Sequence, residues 1–175
     1  AGHGVTSGSC NILIGRQSGS ELTDQHNHIM IGACAGRCVC TGSSETNVFI
    51  GFAAAQCVCG AHNNVFIGKY AGCTGDNGFD KINNVFIGAN SGQGSINSDG
   101  NVFIGNASGR CSTCGDCNTF LGYCSGVSNT TGDFNVAIGY KVCTPIATGC
   151  SQLAIGCNQS NWIIGDSSYN VGIGT

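Results

Sequence analysis

Fourteen cysteines, four histidines and nine carboxylates are the side chains of this 175-residue chain that could do chemistry. Their spacing sorts them. The densest group, "CSTCGDC", sets Cys111, Cys114 and Cys117 three residues apart, a spacing that can hold zinc or an iron–sulfur cluster. No fourth ligand follows at a standard spacing, so the group reads as disulfide chemistry. His3, His26, His28 and His62 form no H-E-x-x-H pattern, and neither G-x-S-x-G nor a phosphate-cradling G-x-x-x-x-G-K-[ST] occurs. Glu21, Asp24, Glu45, Asp76, Asp80, Asp99, Asp116, Asp133 and Asp166 are scattered among the polar stretches, and the expectation is that they share no structural phase. Asp76 and Asp80 in "DNGFD" read as solvated loop acids rather than calcium ligands. No catalytic residue, metal site or cofactor is expected.

What must position these residues is a repeat. "NVFIG" starts at Asn47, Asn64, Asn84 and Asn101, and near-copies start at Asn11, His28, Asn118, Asn135, Gln152, Asn161 and Asn170. The closing glycines are separated by 17, 19, 17, 20, 17, 17, 17, 17, 9 and 9 residues. A fixed period of this length is the signature of a stacked-repeat architecture.

With the closing glycine as position 0, position −1 is Ile or Leu throughout and position −3 is mostly β-branched, which favours a short pleated strand. The glycine at 0 and a frequent second glycine at +4 suit sharp turns. Strand, corner and return in about 17 residues predict an all-β, parallel β-solenoid of nine to ten coils over residues 11–175. Residues 1–10 read as an N-terminal extension able to reach a neighbouring subunit. The two steps of 9 suggest a last coil with the motif on both its sides. The longer steps place bulging loops at "TGSSET" and "TGDNGFDKI".

Position −4 is Asn in nine units, Asn11, Asn47, Asn64, Asn84, Asn101, Asn118, Asn135, Asn161 and Asn170, and stacked amides of this kind form hydrogen-bonded ladders. At −2, Phe49, Phe66, Phe86, Phe103 and Phe120 form a stripe on the strand face opposite positions −1 and −3. Both faces of the strand are therefore apolar, and one must be covered by something outside the wall. The expectation is that a partner copy covers the phenylalanine stripe, since an apolar ladder of this length left bare promotes association. The alternatives are a loop of the same chain over the stripe, or a core that takes the Phe row and leaves the Val/Ile row at the surface.

Cys38 and Cys57 share position +6, and Cys40 and Cys59 share +8. Equivalent positions one coil apart are ~4.8 Å from each other, within disulfide reach. Bridges Cys38–Cys57 and Cys40–Cys59 are predicted. Cys10 is a candidate for an intermolecular bridge, and the other cysteines leave their pairing open. So many cysteines point to an oxidising, extracellular setting. Sequons at Asn106, Asn129 and Asn158 are compatible with glycosylation there. A net charge of −3 with only six Lys and Arg excludes the basic footprint of nucleic-acid binding. No apolar run is long enough to span a bilayer.

The units "NVFIGKYAG", "NVFIGNASG" and "NVAIGY" resemble the N-[TV]-[FA]-[IL]-G-x-x-A-G repeats of phage and giant-virus tail-fibre-like proteins. "NVGIGT" resembles the segment that closes such shafts, and "VAIG" is similar to the head β-roll repeats of trimeric autotransporter adhesins. The resemblance implies a shaft-like β-solenoid and a trimeric assembly. Taken together, these readings lead to the expectation of a secreted structural protein, not an enzyme, whose partners are copies of itself. Solenoids would stack end to end into a disulfide-stabilised extracellular fibre; a trimeric shaft or adhesin is the alternative. An ice-binding solenoid is a further one, although threonine keeps no fixed phase.

Overall fold

The computed structural model describes residues 1–40, 46–74, 81–158 and 160–174, Cys40 through its backbone alone. The expected loops at "TGSSET" and "TGDNGFDKI" lie largely outside the described residues. Strands are short, as the repeat requires. The main sheet begins with β1 (Ile12–Ile14), β2 (Ile29–Ile31), β4 (Val48–Ile50), β6 (Val65–Ile67) and β7 (Val85–Ile87). It continues through β8 (Val102–Ile104), β9 (Thr119–Leu121), β10 (Val136–Tyr140), β11 (Leu153–Cys157), β12 (Ser160–Gly165) and β13 (Val171–Ile173). On the return side β3 (Cys38–Cys40) pairs with β5 (Cys57–Cys59) in a two-stranded sheet.

From β1 to β11 every pairing in the main sheet is parallel and in repeat register, as in Val85↔Val102, Phe86↔Phe103 and Ile87↔Ile104. These nine strands define a parallel β-solenoid of about eight turns, roughly 38 Å tall at ~4.8 Å per strand. Residues 1–10 are not an extension. Gly2 N–H donates to Ser18 O at 2.8 Å, Gly4 N–H to Ser20 O at 3.0 Å and Thr6 N–H to Thr23 O at 2.9 Å. They form the return half of a further coil, held by the same 17-residue phase.

The steps of 9 also resolve differently. β12 runs antiparallel to β11, and β13 antiparallel to β12, so the two final motifs fold back within one sheet instead of opposing each other across a coil. The segment "DSSY" between them is turn chemistry: Asp166 Oδ1 accepts the backbone N–H of Ser168 at 2.9 Å and of Asn170 at 3.0 Å.

The phenylalanine stripe is the core. Phe49, Phe66, Phe86, Phe103 and Phe120 are fully buried, and the last four rings stack at 4.7, 4.8 and 4.9 Å with planes 5–6° apart. Leu13 and Met30 continue this inward column toward the N-terminus, and Ala137 and Ala154 toward the C-terminus. The +4 glycine makes the room. A Cβ at Gly109 would sit 2.4 Å from the Phe103 ring, and one at Gly72 2.4 Å from the Phe66 ring.

Two departures support that reading. Where +4 is Ala55, the Phe49 ring is tilted, 19° from Phe66 at 5.3 Å. Where −2 shrinks to Ala137, position +4 is Cys143 and position +3 is Val142, wholly buried, while the +3 positions beneath it hold Ser or Ala. Volume is conserved across the coil, as close packing demands.

Asparagines at −4 close one corner. Asn84 Oδ1 accepts the Asn101 backbone N–H at 2.9 Å, while Asn101 Nδ2 donates to Gly115 O at 2.8 Å and to Asn84 Oδ1 at 3.3 Å. The same coil-to-coil bond to the amide oxygen links Asn11, Asn47, Asn64, Asn84, Asn101, Asn118 and Asn135 to the residue above each of them. Asn161 and Asn170 do not belong to the ladder. They lie in the antiparallel hairpin, where Asn170 is exposed and donates to Asp166.

Candidate functional site: an outward aliphatic face and a thiol column

With Phe inside, positions −3 and −1 face outward, which corrects the expectation that a partner covers the phenylalanines. A solenoid wall has one interior face, and the +4 glycines fit the rings to it. The outward rows run Ile12, Ile29, Val48, Val65, Val85, Val102, Thr119, Val136, Leu153 and Ile14, Ile31, Ile50, Ile67, Ile87, Ile104, Leu121, Ile138, Ile155.

These rows hold no charge, and Thr119 is their single polar member. Most of them are half-buried by their own neighbours, and Ile12, Ile14 and Leu121 are the most open. Exposed aromatics flank the rows. Phe52, Tyr123 and Tyr140 stand at +1 and Phe134 at −5. Tyr123 and Tyr140 stack at 5.3 Å, and Phe52 meets Tyr70 edge-on at 5.5 Å. Roughly 38 Å by about 12 Å gives a face on the order of 450 Å², within the range of functional patches.

No family model, curated protein or solved structure matches this chain.

The return side carries the thiols. β3 and β5 set Cys38 against Cys57 and Cys40 against Cys59 in parallel register. Cys59 is disulfide-bonded; the side chain of Cys40 lies outside the described residues. The predicted Cys38–Cys57 bridge is not formed: both are thiols, in hydrogen-bond contact with each other, and Cys38 Sγ also donates to Glu21 Oε1 at 3.4 Å. Burial, reinforced by Cys57 and Glu21, pushes the Cys38 thiol up to about 12. Burial likewise pushes up the Cys73 thiol, which lies close enough to Cys57 for their charges to interact. Cys10, Cys111, Cys114 and Cys117 are exposed thiols, and among the described residues no three His, Cys, Asp or Glu side chains are grouped to hold a metal ion.

Three carboxylates do share a phase, against expectation. Asp99, Asp116 and Asp133 are 17 residues apart, and their Oδ1 atoms accept the backbone N–H groups of Ile82, Asp99 and Asp116 at 2.9, 2.8 and 2.8 Å. They cap a second corner as the asparagines cap the first. The 17-residue spacing was the signal, hidden because other residues hold that position in the other coils. Asn129 is wholly buried in the folded chain, with Nδ2 donating to Gly132 O at 3.0 Å. Asn106 and Asn158 are exposed.

Lys81 carries no signal in the repeat. It is fully buried, with Nζ donating to Gly72 O at 2.7 Å and lying 5.7 Å from the Phe66 ring centroid. Burial lowers its pKa to about 7, with the Cys73 charge opposing.

Proposed function

We propose that this chain is a structural rod of an extracellular fibre or surface appendage, and that it associates side by side with copies of itself. The uncharged aliphatic face carries the reading. It runs unbroken along the nine parallel strands, flanked by exposed aromatics, and another ladder with the same ~4.8 Å spacing is its natural complement. Apolar centre and aromatic flanks match the composition of protein–protein interfaces. The cysteine content supports an oxidising location, and a shaft of three copies fits the resemblance drawn from the repeat.

End-to-end stacking is a second reading with its own observation. β13 regains the direction of β1, because two antiparallel pairings separate it from β11. Val171 shares the partner Gly165 with Leu153, and Ile173 shares Ile163 with Ile155, so β13 also regains the two outward columns. A strand such as β1 could extend the sheet there in register.

Negative-stain electron microscopy of the native protein, with and without reductant, tests the proposal. Paired or bundled rods support lateral association, and long filaments support the end-to-end joint. Isolated rods roughly 40 Å long under all conditions contradict both.

A further inference from the structure

The return sheet contains a column of reactive groups that the assembly does not use. Glu21, Cys38, Cys57 and Thr74 occupy the same +6 phase on four successive coils. Thr74 is spent on the backbone, its Oγ1 donating to Cys57 O at 2.6 Å. The other three form a chain in which Cys57 contacts Cys38 and Cys38 donates to Glu21. Two residue pairs further along the same two strands, Cys59 is disulfide-bonded.

We propose that Cys38 and Cys57 form an oxidation latch across β3 and β5, closed by exchange with a small disulfide such as glutathione disulfide, and that Glu21 acts as a brake on closure. In the first step the Cys57 thiolate attacks one sulfur of glutathione disulfide. A Cys57–glutathione mixed disulfide forms, and one glutathione thiolate leaves and takes up a proton. In the second step Cys38 gives its proton to water, and its thiolate attacks Cys57 Sγ, releasing the second glutathione as a thiolate that takes up a proton. Two protein thiols are oxidised to one disulfide, and one glutathione disulfide is reduced to two glutathiones.

Cys38 is the resolving thiol because it already touches Cys57, and in parallel register the two positions lie ~4.8 Å apart. It is also the slow partner. Burial and the Glu21 carboxylate keep it protonated after Cys57 has taken up glutathione, and only the thiolate attacks. Glu21 therefore acts through Cys38 as a positioning residue. Cys73, close to Cys57 but held protonated mainly by burial, is the competing resolver. Thr74 carries the column into the segment before residue 75 without a thiol, so closure ends at Cys57.

The test uses the full chain, reduced under native conditions and then exposed to glutathione disulfide. Samples are quenched by acid and alkylation at intervals, and the disulfides are mapped by peptide mass spectrometry. The Cys38–Cys57 peptide should accumulate, with a closing rate that rises about tenfold per pH unit between neutrality and pH 9. Cys38→Ser should stop at the Cys57–glutathione adduct. Glu21→Gln should close at least about threefold faster at neutral pH, with its pH profile displaced downward. A role for Glu21 in stability alone would leave that profile unmoved, and an unmoved profile overturns the brake. Separate alkylation of Cys38 and Cys57 throughout, or a dominant Cys57–Cys73 bridge, overturns the latch. Circular dichroism of each variant ensures that the fold persists.

Discussion

The phenylalanine-cored coils and the C-terminal end are built from the same pentapeptide and solve the same packing problem in opposite ways. From Phe66 to Phe120 the inward residue is large, and a glycine at +4 gives way to it. At Ala137 the inward residue is small, and the wholly buried Val142 fills the space from the other side. Beyond Ala154 the coil is abandoned for an antiparallel hairpin, whose strands keep the outward columns but lose the return half. The repeat therefore specifies the total volume inside each coil, rather than any single residue, and direction changes where the return segment runs out.

Four substitutions sharpen that contrast. The largest effect belongs to Phe86→Ala, which empties the middle of the ring stack and should cost about 4 kcal/mol by chemical denaturation. Ile164→Ala, at the inward column of the half-covered hairpin, should cost about 1–2 kcal/mol. Next comes the +4 position. Gly109→Ala drives a Cβ into the Phe103 ring at a residue with φ +60°, and should cost about 3 kcal/mol. The matching change in the alanine-cored coil, Cys143→Ala, should stay within about 1 kcal/mol. Equal costs at the two positions would refute the volume argument.

Lys81→Met should instead stabilise, by roughly 2–3 kcal/mol at pH 6, because it replaces a buried ammonium with an apolar chain of similar length. The sign follows from the lowered pKa. Folding disfavours the proton, so the full cost is present below pH about 7 and is relieved as pH rises toward 10.5. The Cys38 thiol, raised from 9.0 to about 12, contributes stability that is lost as pH rises above 9. The window from pH 7 to 9 therefore isolates the lysine. Melting temperature should climb through it in the wild type and stay level in Lys81→Met.

The smallest contrast lies in the asparagines. Asn101→Ala removes the side-chain bonds to Asn84 Oδ1, to Gly115 O and from the Asn118 backbone N–H, and should cost about 2 kcal/mol, whereas Asn170→Ala, exposed in the hairpin turn, should cost under about 0.5 kcal/mol. The Asp166 carboxyl should rise in the second variant, since the Asn170 side chain is the main group holding it below the usual range.

Much of this is legible in the sequence. The period, the parallel register, the amide ladder through Asn135 and the facing of Cys38 with Cys57 follow from residues that recur at one phase. What the period could not decide was which face of the strand turns inward. Alternation separates position −2 from −1 and −3, but all three are apolar, so hydrophobicity alone is silent. The deciding signal was the coupling of −2 with +4: glycine beside Phe66, Phe86, Phe103 and Phe120, cysteine beside Ala137. The hairpin was misread because a half-period of 9 mimics the far side of a coil, although "DSSY" between Gly165 and Asn170 is turn chemistry. Lys81 was illegible because it adjoins an insertion, where the repeat gives no phase.

The outward aliphatic face is the central claim, and sedimentation equilibrium of the wild type beside an Ile67→Lys, Ile104→Lys double variant tests it most directly. Both substitutions point away from the core, so the far-ultraviolet spectrum should not change. The wild type should sediment as two or more copies of the 17.7 kDa chain, and the variant as one. A wild type that stays at 17.7 kDa, or a variant that assembles as well as the wild type, would contradict the account.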